Sequence, residues 1–198
     1  EQELTKHLAS LKREFDFDQY RLICCFFGTM GRFFELENFL HIAPELPEVG
    51  FIFAGKGVER ERILPLADTL PNVFMPGWMN QEQIQAVMSI SDVGLAPYKG
   101  SEAFSLPNKP FEYMSGGLAL LSSVQGELTD LISTYHIGTT VPDTSVQSLK
   151  ATLQNFLDES GELNQMKVNA RSLYESRFSS EVVFSQVEQT IESLAARF

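Results

Sequence analysis

The sequence has little with which to grip nucleic acid, cross a membrane or hold a metal. Its 198 residues carry 15 Lys and Arg against 26 Asp and Glu, a formal net charge of −11. That balance supplies no basic footprint for a polyphosphate backbone. An anionic small molecule would have to be held by local positive groups, against the global field. No apolar run approaches membrane-spanning length, and the opening E-Q-E-L-T-K-H is not a signal peptide. There is no initiator methionine, which fits a piece of something longer. The three histidines, His7, His41 and His136, are scattered, and none has metal-ligand spacing with a cysteine or carboxylate. The two cysteines, Cys24 and Cys25, are adjacent in an apolar run. Neighbours on a strand point to opposite faces, so the pair suits buried thiols of a reduced, cytosolic protein better than a disulfide. Walker P-loop, G-x-G-x-x-G fingerprint and G-x-S-x-G elbow are all missing. Asp16-Phe17-Asp18 spells D-x-D, yet it precedes the first strand with no second ligand cluster nearby, and reads as a solvated turn.

What is present is an alternation. Arg21 to Phe27 is a continuous apolar run of strand length, as expected of a strand buried on both faces. Gly28-Thr29-Met30-Gly31-Arg32 makes a turn, and Phe33, Phe34, Leu36, Phe39, Leu40 and Ile42 then recur at helical spacing. The unit repeats. Val49 to Ala54 is a strand closed by Gly55-Lys56-Gly57, Glu59 to Leu70 a helix, and Asn72 to Gly77 a third strand. Gln81 to Ser91 follows as a helix, with Asn80 as its cap. Asp92 to Pro97 and Leu118 to Ser122 are further strands, and Ile137 to Val141 a sixth after a short helix over Leu128 to Tyr135. The remainder is helical, over Ser145–Leu157, Leu163–Arg177 and Ser180–Ala196. Such alternation predicts an α/β domain with a Rossmann-like parallel sheet of about six strands flanked by helices, with a helical C-terminus. Residues 1–20 read as a connector or lead-in helix, and 21–198 as the domain.

Chemistry concentrates in Ser101 to Gly117, S-E-A-F-S-L-P-N-K-P-F-E-Y-M-S-G-G. Its short helix can be capped by Ser105 or Asn108, and Pro107 and Pro110 fit near its start. Lys109 and Glu112 lie three apart and share a helix face at the C-terminal edge of the preceding strand, where open α/β sheets bind ligands. A lysine there suits a phosphate, and a carboxylate one turn on suits a pair of sugar hydroxyls. The same spacing also fits a capped helix with a solvated ion pair. Gly28 and Gly31 would let a ligand approach the backbone, with Arg32 in reach of a phosphate, or would serve tight packing of helix on sheet.

Taken in order, F-F-G-T-M-G-R, F-A-G-K-G-V-E-R, N-V-F-M-P-G-W, S-D-V-G-L-A-P-Y and P-N-K-P-F-E-Y-M-S-G-G resemble the C-terminal domain of family 4 (group 1) glycosyltransferases. These enzymes have the two-domain GT-B architecture, of which this chain would be one half, from about Arg21 onward. The last fragment is similar to the P-[NS]-K-x-x-E-Y-[ML]-A-x-G variant of bacterial surface-polysaccharide transferases. The resemblance implies that Glu112 binds the ribose hydroxyls of a nucleotide donor. Arg32 and Lys109 would stabilise the diphosphate leaving group. Backbone around Phe104, Ser105 and Leu106 would cradle the donor sugar. The Gly55-Lys56-Gly57 turn and the loop from Met75 to Trp78 would wall the nucleobase.

The resemblance also implies a retaining transfer without a metal or other cofactor, a UDP-sugar in preference to a GDP-sugar, and a glycan or lipid-linked acceptor. The acceptor would lie in an N-terminal domain that this chain lacks, leaving it inactive alone. The final helix would pack toward that half, and the intact enzyme would work in the cytoplasm, with peripheral association at the inner face of the membrane. Two positions depart from the pattern. Phe104 stands where the first glutamate of E-x(7)-E is usual, with Glu102 out of register, and F-F-E-L replaces the lysine after the first-turn arginine. The departures keep two other readings open, a non-catalytic nucleotide-sugar-binding module and the donor half of a nucleotide-sugar epimerase. A sheet protein whose glycines and lysines serve packing alone is the remaining one.

Overall fold

A computed structural model describes residues 2–100 and 106–195. Six strands form one parallel sheet: β1 (Leu22–Thr29), β2 (Val49–Lys56), β3 (Val73–Gly77), β4 (Val93–Ala96), β5 (Ala119–Ser122) and β6 (Gly138–Thr140). Their order is β3-β2-β1-β4-β5-β6. The chain therefore builds outward from β1 in one direction, returns, and builds outward in the other. The crevice between the C-terminal ends of β1 and β4 is the switch point, where a doubly wound sheet opens to a ligand.

The helices among the described residues are α1 (Gln2–Glu14), α2 (Glu37–Ile42), α3 (Val58–Ala67), α4 (Gln81–Ile90), α5 (Lys109–Ser115), α6 (Glu127–Tyr135), α7 (Val146–Asp158), α8 (Ser160–Leu173) and α9 (Ser180–Ala195). They cover both faces of the sheet, as a parallel sheet requires. One core joins Cys24, Phe26, Phe51 and Phe53 to Phe39 of α2, Ile63 of α3 and Leu149 of α7. The other joins Cys25, Phe27 and Ile52 to Leu11 of α1, Val87 of α4, Met114 of α5 and Leu128 of α6. Cys24 and Cys25 thus take opposite faces, buried and free. Burial raises both thiols, Cys25 to about 12.

Two local readings need correction. Phe33 to Leu36 are not helical, because that stretch is tied to the segment after β4 instead. Phe34 bridges Tyr98 in antiparallel fashion, Glu35 N–H donates to Pro97 O at 2.9 Å, and Lys99 N–H to Phe33 O at 2.7 Å. Asn108 stands at the start of α5 with helical backbone angles and no side-chain cap. Its carbonyl, not its amide, meets the first turn, accepting from Phe111 N at 3.1 Å, while Ser105 lies outside the described residues. Of the two readings of the first twenty residues, connector or lead-in helix, the structure has a helix, α1, whose Leu11 joins the core on the sheet's second face. By contrast Asn80 caps α4 as expected, in a capping box with Gln83 whose two bonds are each 2.9 Å. Asp16 and Asp18 are exposed on either side of a half-buried Phe17, at the start of a short 3-10 turn, and Asp18 pairs with Lys12.

The N-terminal end of the sheet is fastened by Asp92. One carboxylate oxygen accepts from Ile23 N–H at 2.9 Å, and the other meets Lys167 of α8 at 2.6 Å.

Candidate functional site

The site begins with a bare strand. Gly94 leaves room on β4 for Tyr113, and a Cβ at position 94 would stand 2.2 Å from that ring. The buried Tyr113 hydroxyl donates to Leu95 O at 2.9 Å, and its ring meets Phe27 edge-on at a 5.0 Å centroid distance. These contacts dock α5 on the second face. Lys109 and Glu112, four and one residues earlier, then line the open crevice while Tyr113 and Met114 point into the core.

The crevice is a cleft of about 520 Å³. Gly28 and Phe27 at the end of β1 form its floor, α5 gives Lys109, Glu112 and Ser115, and α4 gives Gln81, Ile84, Gln85 and Met88. Gly28 has φ +116°, a conformation that favours glycine, and a Cβ there would come 2.5 Å from Lys109 Nζ. Lys109 is drawn inward, donating to Phe27 O. Burial lowers its pKa, while Glu112 pulls the other way. The ion pair that spacing allowed is therefore not what fixes Lys109; the strand's carbonyl is. Glu112 is exposed at the rim of the cleft.

The remaining expected residues are distributed around this cleft. Gly31 has open space on its side-chain side, so helix packing does not account for it. Arg32 is exposed and lines a separate cleft of about 400 Å³ with Phe34, Glu37, Asn38, Arg62 and Lys99. Arg62 there is held by Glu37 at 2.6 Å and Glu59 at 2.7 Å. Lys56 ends β2, its ammonium 5.9 Å from the ring centre of Trp78, which is 63% exposed. Leu106 is exposed, while Phe104 and Ser105, with Glu102, lie outside the described residues. The structure thus brings Gly28, Lys109 and Glu112 into one cleft and leaves Arg32, and the Lys56–Trp78 pair, outside its lining. Sequence reading missed Gln81, Gln85 and Met88. The signal was weak: a polar face on the helix that the Asn80 cap opens.

Among the described residues no group of His, Cys, Asp or Glu is arranged to hold a metal ion. None of their helices is long and apolar enough to cross a membrane.

The fold and this cleft define a doubly wound parallel α/β domain with a cleft at its switch point, and the comparisons narrow it. The chain belongs to the group 1 glycosyl transferases, whose family profile matches residues 6–173. That match takes in most of α1 and ends with α8. No curated protein matches the chain significantly by sequence. Among solved structures it resembles HepE of Anabaena in complex with UDP, at TM-score 0.75 and 15% identity over 95% of this chain and 53% of that one. Sucrose-phosphate synthase of Thermosynechococcus elongatus gives 0.72 and 20%, over 98% and 49%. The C-terminal domain of the group 1 protein LpcC of Francisella tularensis gives 0.68 and 13%, over 88% and 92%. The chain spans about half the length of the first two and matches nearly the whole of the third. It has the fold of the Rossmann-like half of a GT-B protein.

Proposed function

We propose that this chain is the donor-binding half of a retaining, metal-independent glycosyltransferase that takes a nucleoside diphosphate sugar, UDP-linked in preference to GDP-linked. The observation that carries the reading is the convergence of Gly28, Lys109 and Glu112 on one cleft at the switch point of the sheet. Glu112 is free to accept from two vicinal ribose hydroxyls. Lys109 stands over the bare backbone of Gly28, where a diphosphate could approach closely. As the sugar's anomeric carbon leaves the diphosphate oxygen for an acceptor hydroxyl, negative charge grows on the departing group. A positioned ammonium stabilises it without a metal. Arg32, reaching from the neighbouring cleft, would supply the second cation. Lys56 and Trp78 would wall the base, and the backbone of Phe104, Ser105 and Leu106 would hold the sugar.

The complex of HepE with UDP supports a uridine nucleotide. The acceptor, a glycan or lipid-linked saccharide of surface polysaccharide synthesis in the cytoplasm at the inner membrane face, belongs to an N-terminal half. The exposed apolar row Phe184, Val187, Ile191 and Leu194 on α9 fits a helix packed against that half. Alone, the chain binds nucleotide and transfers nothing.

The test is a thermal shift against UDP, GDP, ADP and dTDP, with and without EDTA, beside Glu112→Ala. Ligand at about a hundred times its dissociation constant adds about 2.7 kcal/mol, a rise of roughly 5–10 °C for a domain of this size. The expected result is a rise with UDP, unchanged by EDTA and largely lost in Glu112→Ala. A well-folded sample that no diphosphate stabilises would count against the donor site.

A further inference from the structure

The ammonium of Lys109 is held on more than one side. It donates to Phe27 O, and it lies 4.6 Å from the ring centre of Phe26 and 5.4 Å from that of Phe34. Ring faces carry negative potential and attract a cation, most strongly where water is scarce. Phe26 is fully buried in β1, so its ring is fixed by the core. Phe34 is not part of the sheet and is only half-buried, in the turn between β1 and α2. Its ring is nevertheless fixed. It meets Phe26 edge-on at 4.9 Å and Tyr98 at 4.7 Å, and the backbone on either side is bonded to the segment after β4. Phe34 also lines the cleft that contains Arg32, so one side chain stands between the two candidate phosphate cations.

We infer that Phe34 is a positioning residue: with Phe26 it seats the Lys109 ammonium over Gly28, facing an anion in the cleft rather than the Glu112 carboxylate. The rings attract the charge without neutralising it, as a carboxylate would. Glu112 is thereby left free to accept hydrogen bonds. The identity of the anion rests on the donor-site reading, but the seat does not.

Phe34→Leu keeps an apolar side chain of similar reach and removes the ring; Phe34→Tyr restores a ring face. The first readout is NMR of 13C-labelled lysine, with the Lys109 signals identified by their loss in Lys109→Arg. Protons on the ε-carbon beside two ring faces are shifted upfield. The shift should persist in Phe34→Tyr and shrink in Phe34→Leu. The second is the dissociation constant for UDP in a double-mutant cycle with Lys109→Met. Phe34→Leu should weaken UDP about two- to fivefold when Lys109 is present and leave it unchanged when Lys109 is Met. Equal weakening in both backgrounds, or unshifted ε-protons in the unmodified chain, would overturn the inference. Upfield ε-protons in a chain that binds no nucleoside diphosphate would remove the donor reading and leave the seat standing.

Discussion

The ring of Tyr113 lies on Gly94, in the space where any larger residue on β4 would put its Cβ, 2.2 Å from the ring. This one contact sets how close α5 sits to the sheet, and so where Lys109 and Glu112 stand. Gly94→Ala should overpack the joint, costing about 1–3 kcal/mol, and should weaken UDP as well by displacing the helix. Tyr113→Phe should cost about 1–2 kcal/mol, because Leu95 O loses its buried donor, with a smaller effect on UDP. Urea melts and titration calorimetry on the two variants check the pair. Equal loss of affinity in both would mean that the hydroxyl, not the spacing, sets the helix.

Asp92 anchors the opposite end of the sheet and should affect stability alone. Asp92→Ala strands the Ile23 N–H and unpairs Lys167. The expected cost is about 1–3 kcal/mol, with the UDP dissociation constant unchanged. A calorimetric titration at a temperature where the variant is fully folded makes the comparison.

Affinity for UDP should fall on the alkaline side at a pH below that expected of an ordinary lysine. Burial lowers the Lys109 pKa, and only the protonated ammonium attracts a diphosphate. Binding should therefore hold below the lowered pKa and decline as pH rises through it. Since the folded group gives up its proton before the unfolded one does, folding stability gains with pH across the same window. In Lys109→Arg the alkaline decline should disappear, because a guanidinium stays charged. An unaltered pH profile in that variant would assign the decline to another group.

The thiols of Cys24 and Cys25 are both buried and held above their usual range, Cys25 at about 12. A thiol reagent at pH 8 should find neither in the folded chain and both in denaturant, at a rate that follows unfolding. Fast reaction of either in native buffer would mean that β1 opens locally.

Local sequence carried most of the elements because their causes are local. The apolar run Leu22 to Phe27 has no polar alternation, so it had to be a strand covered on both faces. The Asn80–Gln83 spacing fixed the start of α4. Phe33 and Phe34 misled, since their helical spacing lost to backbone pairing with residues 97–99, a partner that periodicity does not reveal.

By itself the sequence determined the alternation of strands and helices, the opposed faces of the adjacent cysteines and the nearness of Lys109 to Glu112. Those follow from the two-residue and 3.6-residue periods and from turn chemistry. Only the tertiary structure decided that β4 lies beside β1. That pairing opens the crevice, brings Gln81 and Gln85 of α4 to face α5, and carries the Lys109 ammonium to the carbonyl of a residue 82 positions away. Strand order and side-chain reach depend on which distant surfaces bury each other best, and no window along the chain contains both partners.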